Sequence, residues 1–350
     1  MHAPQTGEMD QPTAPLAISA GNGSSTTAEA QPAESPSSTS GPSLKGAVGP
    51  IPRPEGSGRR ILKMYLVIFI LFHLALPLAF VPWLFSWTGL IMVPLGNYIF
   101  TSIGIGLCYH RALTHRGLNM PKWLEHFTAL LGVCSLQDSP ARWVAIHRKH
   151  HQYSDTQPDP HSPLAGFFWG HMQWLYDENP SLSSLDLYDR YARDILRDPF
   201  YYALEKRLMW FWTYVIHAIL FFLAGLGIGY ATTGEWMGGV QFGASLFVWG
   251  VIIRTVYTWH VTWAVNSVAH VFGYRNYPTD DSSRNHWLVA LATNGEGWHN
   301  NHHADQRSAA HGHRWWELDV TWLTIRALEK VGLAWDVVRP SAKLTKPSSS

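Results

Sequence analysis

Four stretches of this chain are apolar almost without interruption, and the segments between them are polar or amphipathic. They run from Met64 to Phe85, from about Leu90 to Cys108, from Met209 to Tyr230, and from near Val240 towards His260. Each is close to the ~20 residues a helix needs to cross a bilayer's hydrocarbon core. Ser86–Gly89 joins the first two and Ala231–Gly239 the last two, which predicts two transmembrane hairpins. Pro121–Leu136 opens with proline, carries Lys122 and Glu125 near its start, and repeats apolar residues at helical spacing. Trp315–Trp335 does the same, with Trp316, Leu318, Val320, Leu323, Ile325 and Leu328 set among charges. Both read as amphipathic helices, at the membrane interface or on the outside of a soluble cap. Asp155–Pro163 (DTQPDPHSP) is turn-rich and must pull the chain sharply aside. The expected class is all-α: four transmembrane helices in two hairpins with a helical cap.

Charge gives this arrangement a direction. Neither hairpin connection contains Lys or Arg, whereas Arg59, Arg60, Lys63, the Arg111–Arg207 segment and the C-terminal part carry essentially all the basic residues. The positive-inside rule therefore places both termini and the cap in the cytosol. Arg254 lies about 24 Å along the fourth helix from Gly238 at 1.5 Å per residue, so that helix runs past the bilayer and carries Thr262, Asn266 and His270 into the cap. A charge at that depth is either functional or a snorkelling structural arginine. The 350 residues are only 15% charged with net charge +1, which leaves no basic footprint for nucleic acid. The mean hydropathy of -0.07 averages polar ends with apolar spans. Cys108 and Cys134 fall on the cytosolic side and read as buried thiols, not a disulfide. Residues 1–58 read as a disordered Ser/Thr/Ala/Pro-rich tail, with Glu8, Asp10, Glu29 and Glu34 against Lys45 in its first fifty residues. Those fifty lack both the Arg-rich character of a transit peptide and an apolar signal core. Residues 340–350 read as a second tail, leaving one folded domain over 59–339.

The chemistry lies in the histidines. Nine of the 19 stand in HRALTH (His110, His115), HRKHH (His147, His150, His151), NSVAH (His270) and HNNHH (His299, His302, His303). Imidazole is the commonest protein metal ligand, and neutral nitrogens suit iron, zinc or copper. Nine are too many for one ion and about right for two. At i, i+3, i+4 on a helix all three side chains of HRKHH or HNNHH share one face, and so do Asn266 and His270, four apart. The i, i+5 step in HRALTH separates the rings by about 140° on an ideal helix, so that segment must end a helix or be bent. Asp155, Asp159, His161 and Glu296 are placed to orient ligand imidazoles, or simply to cap turns and helices. The remaining histidines, among them His73, His217, His311 and His313, read as packing or surface residues.

HRALTHR, HRKHHQYSDTQPDPHSP, NSVAH and GEGWHNNHH, in that order around four spans, resemble the membrane-bound fatty acyl desaturases of the stearoyl-CoA Δ9 type. The likeness extends from about Arg60 to Trp335. It implies a mushroom-shaped helical protein whose cytosolic cap holds two irons on the nine histidines, with Asn266 holding a water near one of them. It implies O2 as co-substrate and electrons from a separate cytochrome b5 or ferredoxin type of protein, since no HPGG segment is present. It further implies a bent apolar substrate tunnel beside Gln137, Trp143 and Thr262, ending near Tyr98, which would cap the tunnel and set chain length. The chemistry agrees: unactivated methylenes need a metal–oxygen oxidant, and thiolate ligands would themselves be oxidised.

The sequence departs from the animal acyl-CoA enzymes at the head group. Where they carry Arg-Asp before the second histidine box and Arg-Lys after GFF…HVGW, this chain has Ala145-Ile146 and Asp177-Glu178. Losing phosphate-pairing cations weakens coenzyme A binding, although Arg142, Lys149 and Arg254 could serve it. Long-chain acyl-CoA and acyl-lipid both stand as substrates in unsaturated fatty acid synthesis. Two other readings are a membrane di-iron hydroxylase of lipids or alkanes, which the DPHSP turn and NSVAH argue against, and a membrane protein holding zinc without oxidase activity.

Overall fold

The structure is a computed structural model and describes residues 49–341. Most of both expected tails lies outside the described residues. Among the described residues the regular secondary structure is helical, with isolated bridges such as Ile61 with Asp177 and no strands. Residues 51–58 run against the middle of the chain, where the Ile51 N–H donates to the Leu164 carbonyl at 3.1 Å and that of Gly58 to Glu178 at 3.0 Å.

Four helices are long and apolar enough to cross a membrane: Lys63–Phe80, Trp87–Thr114, Pro199–Thr233 and Trp236–Val271. They match the four apolar runs, with corrected ends. Span one is α-helical only over Lys63–Leu74 and then tightens into 3-10 turns at Leu76–Phe80 and Pro82–Leu84, each with a proline in its first two positions. Its α-helical part has no buried residue, as a lipid-facing helix would. Ser86 accepts the Gly89 N–H at 2.9 Å, so span two already starts at Trp87, inside the expected connection. The second connection shrinks too, from Ala231–Gly239 to Gly234–Glu235. Gly234 ends span three at φ 72°, a left-handed cap that costs glycine little. Spans three and four then press backbone to backbone: a Cβ on Gly225 would sit 2.8 Å from the Gly243 Cα.

Span four is 36 residues long, about 54 Å at helical rise. It outruns a ~30 Å hydrocarbon core and delivers Thr262, Asn266 and His270 to the polar end of the bundle. Arg254 is fully buried within it and does not snorkel. Its Nε donates to Gly250 O at 3.0 Å, its Nη1 to Cys134 O at 2.8 Å, and its guanidinium lies 4.3 Å over Phe100. The snorkelling expectation is thus corrected: the guanidinium is tied to backbone carbonyls inside the bundle. Cys108 and Cys134 are buried free thiols.

The Pro121–Leu136 segment is a helix over Lys122–Val133 that buries Leu124, Ala129 and Val133 and exposes Trp123 and Phe127. The C-terminal amphipathic helix is shorter than expected, Val320–Lys330. Asp319 accepts the Trp322 N–H at 2.8 Å and fixes the N-terminus there, so Trp315, Trp316 and Leu318 precede the helix and are exposed.

Candidate metal centre

The two histidine boxes expected on helices lie on them. Ser139 caps Pro140–Tyr153, accepting the Arg142 N–H at 3.1 Å, with proline at the first turn. HNNHH occupies the short helix His299–Ala304. HRALTH closes span two, whose Asn97–Thr114 part is wound in π-helical turns. The His115 N–H donates to the His110 carbonyl at 3.1 Å, an i→i+5 bond that brings the two rings to 4.9 Å. The bend required by the i, i+5 spacing is this widened helix.

The nine imidazoles gather into two groups. His110, His115, His147, His151 and His302 offer nitrogens within 4.8 Å of one another, and so do His150, His270, His299 and His303. Each three-histidine helix serves both groups, because successive residues point about 100° apart: His147 and His151 face one group and His150 the other. Nε2 atoms meet at 3.1 Å between His110 and His302, 2.9 Å between His302 and His151, 3.0 Å between His147 and His151, and 3.0 Å between His270 and His299. Two nitrogens bound at right angles to one ion at about 2.1 Å would lie about 3 Å apart. His150 Nε2 and His303 Nε2 are buried with no hydrogen-bond partner. These residues fit two metal ions.

Carboxylates hold the opposite edges of four rings. His270 Nδ1 meets Asp155 at 2.9 Å, His150 Nδ1 meets Asp159 at 3.0 Å, His303 Nδ1 meets Asp281 at 2.6 Å, and His110 Nδ1 pairs with Glu296. An Nδ1–H held this way leaves Nε2 as a bare lone pair, the form that binds metal. The DTQPDPHSP turn supplies two of these acids and braces them: Asp155 accepts the Ser162 hydroxyl at 2.6 Å, and Asp159 the Asp155 N–H at 2.8 Å. Burial favours the neutral form of Asp281, but the facing His303 and His270 outweigh it and hold the carboxyl well below the usual carboxylate range. Burial, with the neighbouring rings, lowers His147, His151, His299 and His302 well below the ordinary histidine value, which favours the neutral form that can bind a metal.

Three participants were not legible beforehand. Asp281 stands 22 residues from its partner in an ordinary-looking turn. Arg111, fully buried, donates to Glu296 and Asp319 at 2.7–3.2 Å. His311, grouped above with packing and surface residues, is wholly buried, its ring 4.4 Å from that of His302 and its Nδ1 3.5 Å from Glu296. His161 belongs to neither metal group. It stacks 4.4 Å from His150, and burial with that neighbour lowers it to about 3.

An apolar cavity with about 910 Å³ of empty space leads to this centre, between Tyr65, Phe69, Trp210, Trp259 and Trp263. A smaller recess lies on the other side of the shared residues, along Thr101, Ile105 and Gly106. Trp143, His147, Thr262 and Asn266 line both, so the passage runs beside the histidines. Gln137 donates to Thr262 at 3.1 Å on the wall of the larger cavity. Tyr98 lines neither, its hydroxyl pairing instead with Thr324 at 2.9 Å.

A family model for fatty acid desaturases matches residues 83–338. The chain belongs to the fatty acid desaturase family. It is 40% identical to an sn-1 stearoyl-lipid 9-desaturase of a Synechocystis species, over 82% of this chain and 84% of that one. It is also 40% identical to an sn-2 palmitoyl-lipid 9-desaturase of a Nostoc species, over 84% of this chain and 95% of that one. With an acyl-CoA C20 Delta5-desaturase of Anemone leveillei it shares 41% identity over 75% of this chain and 78% of that one. It is a membrane fatty acyl desaturase, an oxidoreductase of lipid metabolism.

Proposed function

We propose that this desaturase introduces a cis double bond at Δ9 into a saturated long-chain acyl group carried on lipid or coenzyme A. The observation that carries the reading is the gathering of nine imidazoles into groups of five and four beside two cavities that share Trp143, His147, Thr262 and Asn266. Each group holds one iron, and Asn266, one helical turn before His270, holds a water beside the four-histidine group. Bound there, two irons and O2 supply the oxidant that an unactivated C–H bond demands and side chains lack. The acyl chain gives up two hydrogens, a separate donor of cytochrome b5 or ferredoxin type gives two electrons, and two protons complete the conversion of O2 to two waters.

The protein's own residues do the placing. Trp143 and Thr262 narrow the passage where it meets His147, and the Gln137–Thr262 hydrogen bond ties the loop before Pro140 to span four. A chain threaded there is held bent with one methylene pair facing the ions, and the apolar walls keep bulk water out. The hairpin turns Phe85–Ser86 and Gly234–Glu235 lack Lys and Arg, which supports cytosolic termini and a cytosolic metal centre.

Expression in a host without its own desaturase, followed by fatty acid profiling, should yield cis-monoenes unsaturated at the ninth carbon. A hydroxylated or unchanged profile would sink the proposal. The purified protein should carry about two irons per chain; zinc without iron and without O2 consumption would point to the alternative of a zinc-holding membrane protein without oxidase activity. Asp281→Asn keeps the size of the side chain but removes the charge that fixes His303. It should cost the four-histidine ion about 10–100-fold in affinity, read by chelator competition, while the five-histidine ion is retained.

A further inference from the structure

Three histidines that belong to neither metal group form a hydrogen-bonded chain behind the larger cavity. His73 comes from span one, His260 from span four, and His171 from the segment between spans two and three. The Ser267 hydroxyl lies 2.8 Å from His171 Nδ1, His171 Nε2 3.0 Å from His260 Nδ1, and His260 Nε2 2.9 Å from His73 Nε2. His73 Nδ1 closes the chain on the Phe69 carbonyl at 2.7 Å. With one hydrogen on each ring, a single set of tautomers satisfies all six nitrogens, every donor pointing from Ser267 towards Phe69. The Ser267 hydroxyl then gives up its alternative acceptor, the Trp263 carbonyl at 2.9 Å. None of the three rings lines the cavity. They stand behind aromatic side chains that do, His73 with its ring 4.0 Å from Phe69 and His260 with its ring 5.3 Å from Trp263.

This chain crosses a weak seam. Span one supplies Tyr65, Ile68 and Phe69 to the cavity wall, and span four supplies Trp259, Thr262 and Trp263. No residue of Lys63–Leu74 is buried, and Val67, Leu71 and Leu74 are exposed on the outer face. Spans three and four, by contrast, meet backbone to backbone at Gly225 and Gly243. In a bilayer, apolar side chains that part from one another meet lipid tails as apolar as themselves, so parting them costs little. A polar link has no such substitute in hydrocarbon. Among the described residues, the side chains of Lys63–Phe80 make two polar links to other segments: Tyr65 to Asp138 at 2.7 Å, and His73 to His260. Only the second joins span one to span four. We infer that the seam between these two spans is a lateral port through which the alkyl chain passes between cavity and bilayer, with His73, His260 and His171 as its latch. Leaving through the polar end of the bundle would expose each methylene to water, whereas leaving sideways keeps the chain in apolar surroundings throughout. The inference rests on reading the cavity as the acyl-chain site and adds the route in and out of it.

The test uses the full iron-loaded chain in detergent micelles with a reducing system, carrying His73→Cys and His260→Cys. Labelled stearoyl groups on coenzyme A and on monogalactosyldiacylglycerol are supplied together, so the outcome does not depend on the carrier. Once substrate is bound, a short bis-maleimide joins the two cysteines and the reaction is started. The cross-linked protein should stop after about one product per chain, while each single-cysteine variant given the same reagent continues to turn over. His73→Phe keeps a ring but loses the link. It should speed the release of labelled oleoyl product, chased with unlabelled product, by about 3–10-fold, the scale of one interhelical hydrogen bond. Steady turnover by the cross-linked protein overturns the inference and leaves desaturation standing. So does an unchanged release rate in a His73→Phe protein whose iron content and Tm match wild type. No product from the iron-loaded wild type overturns both.

Discussion

His270→Ala is expected to leave the protein with about one iron per chain and with no measurable desaturation. His270 is the only ligand candidate contributed by span four, and it stands alone in sequence, with no neighbouring histidine able to substitute. Its ring nitrogens face His299 at 3.0 Å and Asp155 at 2.9 Å, with both His270 and Asp155 closed off from solvent. Removing the imidazole leaves three nitrogens for the second ion and strips the buried Asp155 of its partner. Disturbing even an outer partner of a metal ligand costs about 10–100-fold, and loss of a ligand itself exceeds that. Iron analysis with Mössbauer spectroscopy would separate the two sites, the five-histidine ion persisting in the variant. As a control, His126→Ala removes an imidazole that touches Asp198 at 2.9 Å, away from the centre, and should retain both irons. A His270→Ala protein with two irons and ordinary turnover would show that His270 is a packed bystander.

What the sequence made legible was whatever depends on near neighbours. Four apolar runs gave four helices, and the i, i+3, i+4 spacing gave the shared faces of HRKHH and HNNHH. The division of the nine into five and four was not legible. His150 and His151 are adjacent yet serve different groups, and which group each meets depends on how three helices cross. The awkward spacing in HRALTH announced a distortion without identifying it as a π-helical end. Asp159 was readable because its turn directly follows the box that holds its partner His150, whereas the pairing of Asp155 with His270, 115 residues on, was not. Asp281 was not, because its partner His303 comes from a different segment. Span ends failed where hydropathy could not see a cap: Gly234 stops one helix amid small and apolar residues, and Asp319 starts another after two tryptophans that look helical by spacing. Tyr98, placed at the tunnel end by resemblance, lines neither of the two cavities, and Thr101 and Ile105 of the same helix are what line the inner one.

The largest effect on stability should come from a residue outside the ligand set. Arg111, next to His110, is buried and spends its guanidinium on Glu296, Asp319 and the Ala309 carbonyl, the last at 2.7 Å. Each acid has a second task. Glu296 orients His110, and Asp319 caps the Val320–Lys330 helix while accepting the His311 N–H at 2.7 Å. Burial would favour a neutral Glu296, yet Arg111, then His311 and His110, hold it ionised well below the usual carboxylate range. Arg111→Met therefore strands the buried Asp319 and the largely enclosed Glu296, a change that costs about 3–5 kcal/mol and should lower Tm by about 10 °C. Because the folded carboxyl of Glu296 titrates below its unfolded value, its contribution is present at neutral pH and fades as pH falls below about 4. The gap in Tm between wild type and Arg111→Met should narrow over the same range. Arg111→Lys keeps the charge but cannot span both acids with a planar fork, so it should fall between the two. The five-histidine iron should weaken in step, since His110 loses its fixed partner. A Tm within about 2 °C of wild type for Arg111→Met would mean that the two acids find other partners and that Arg111 does not hold the centre together.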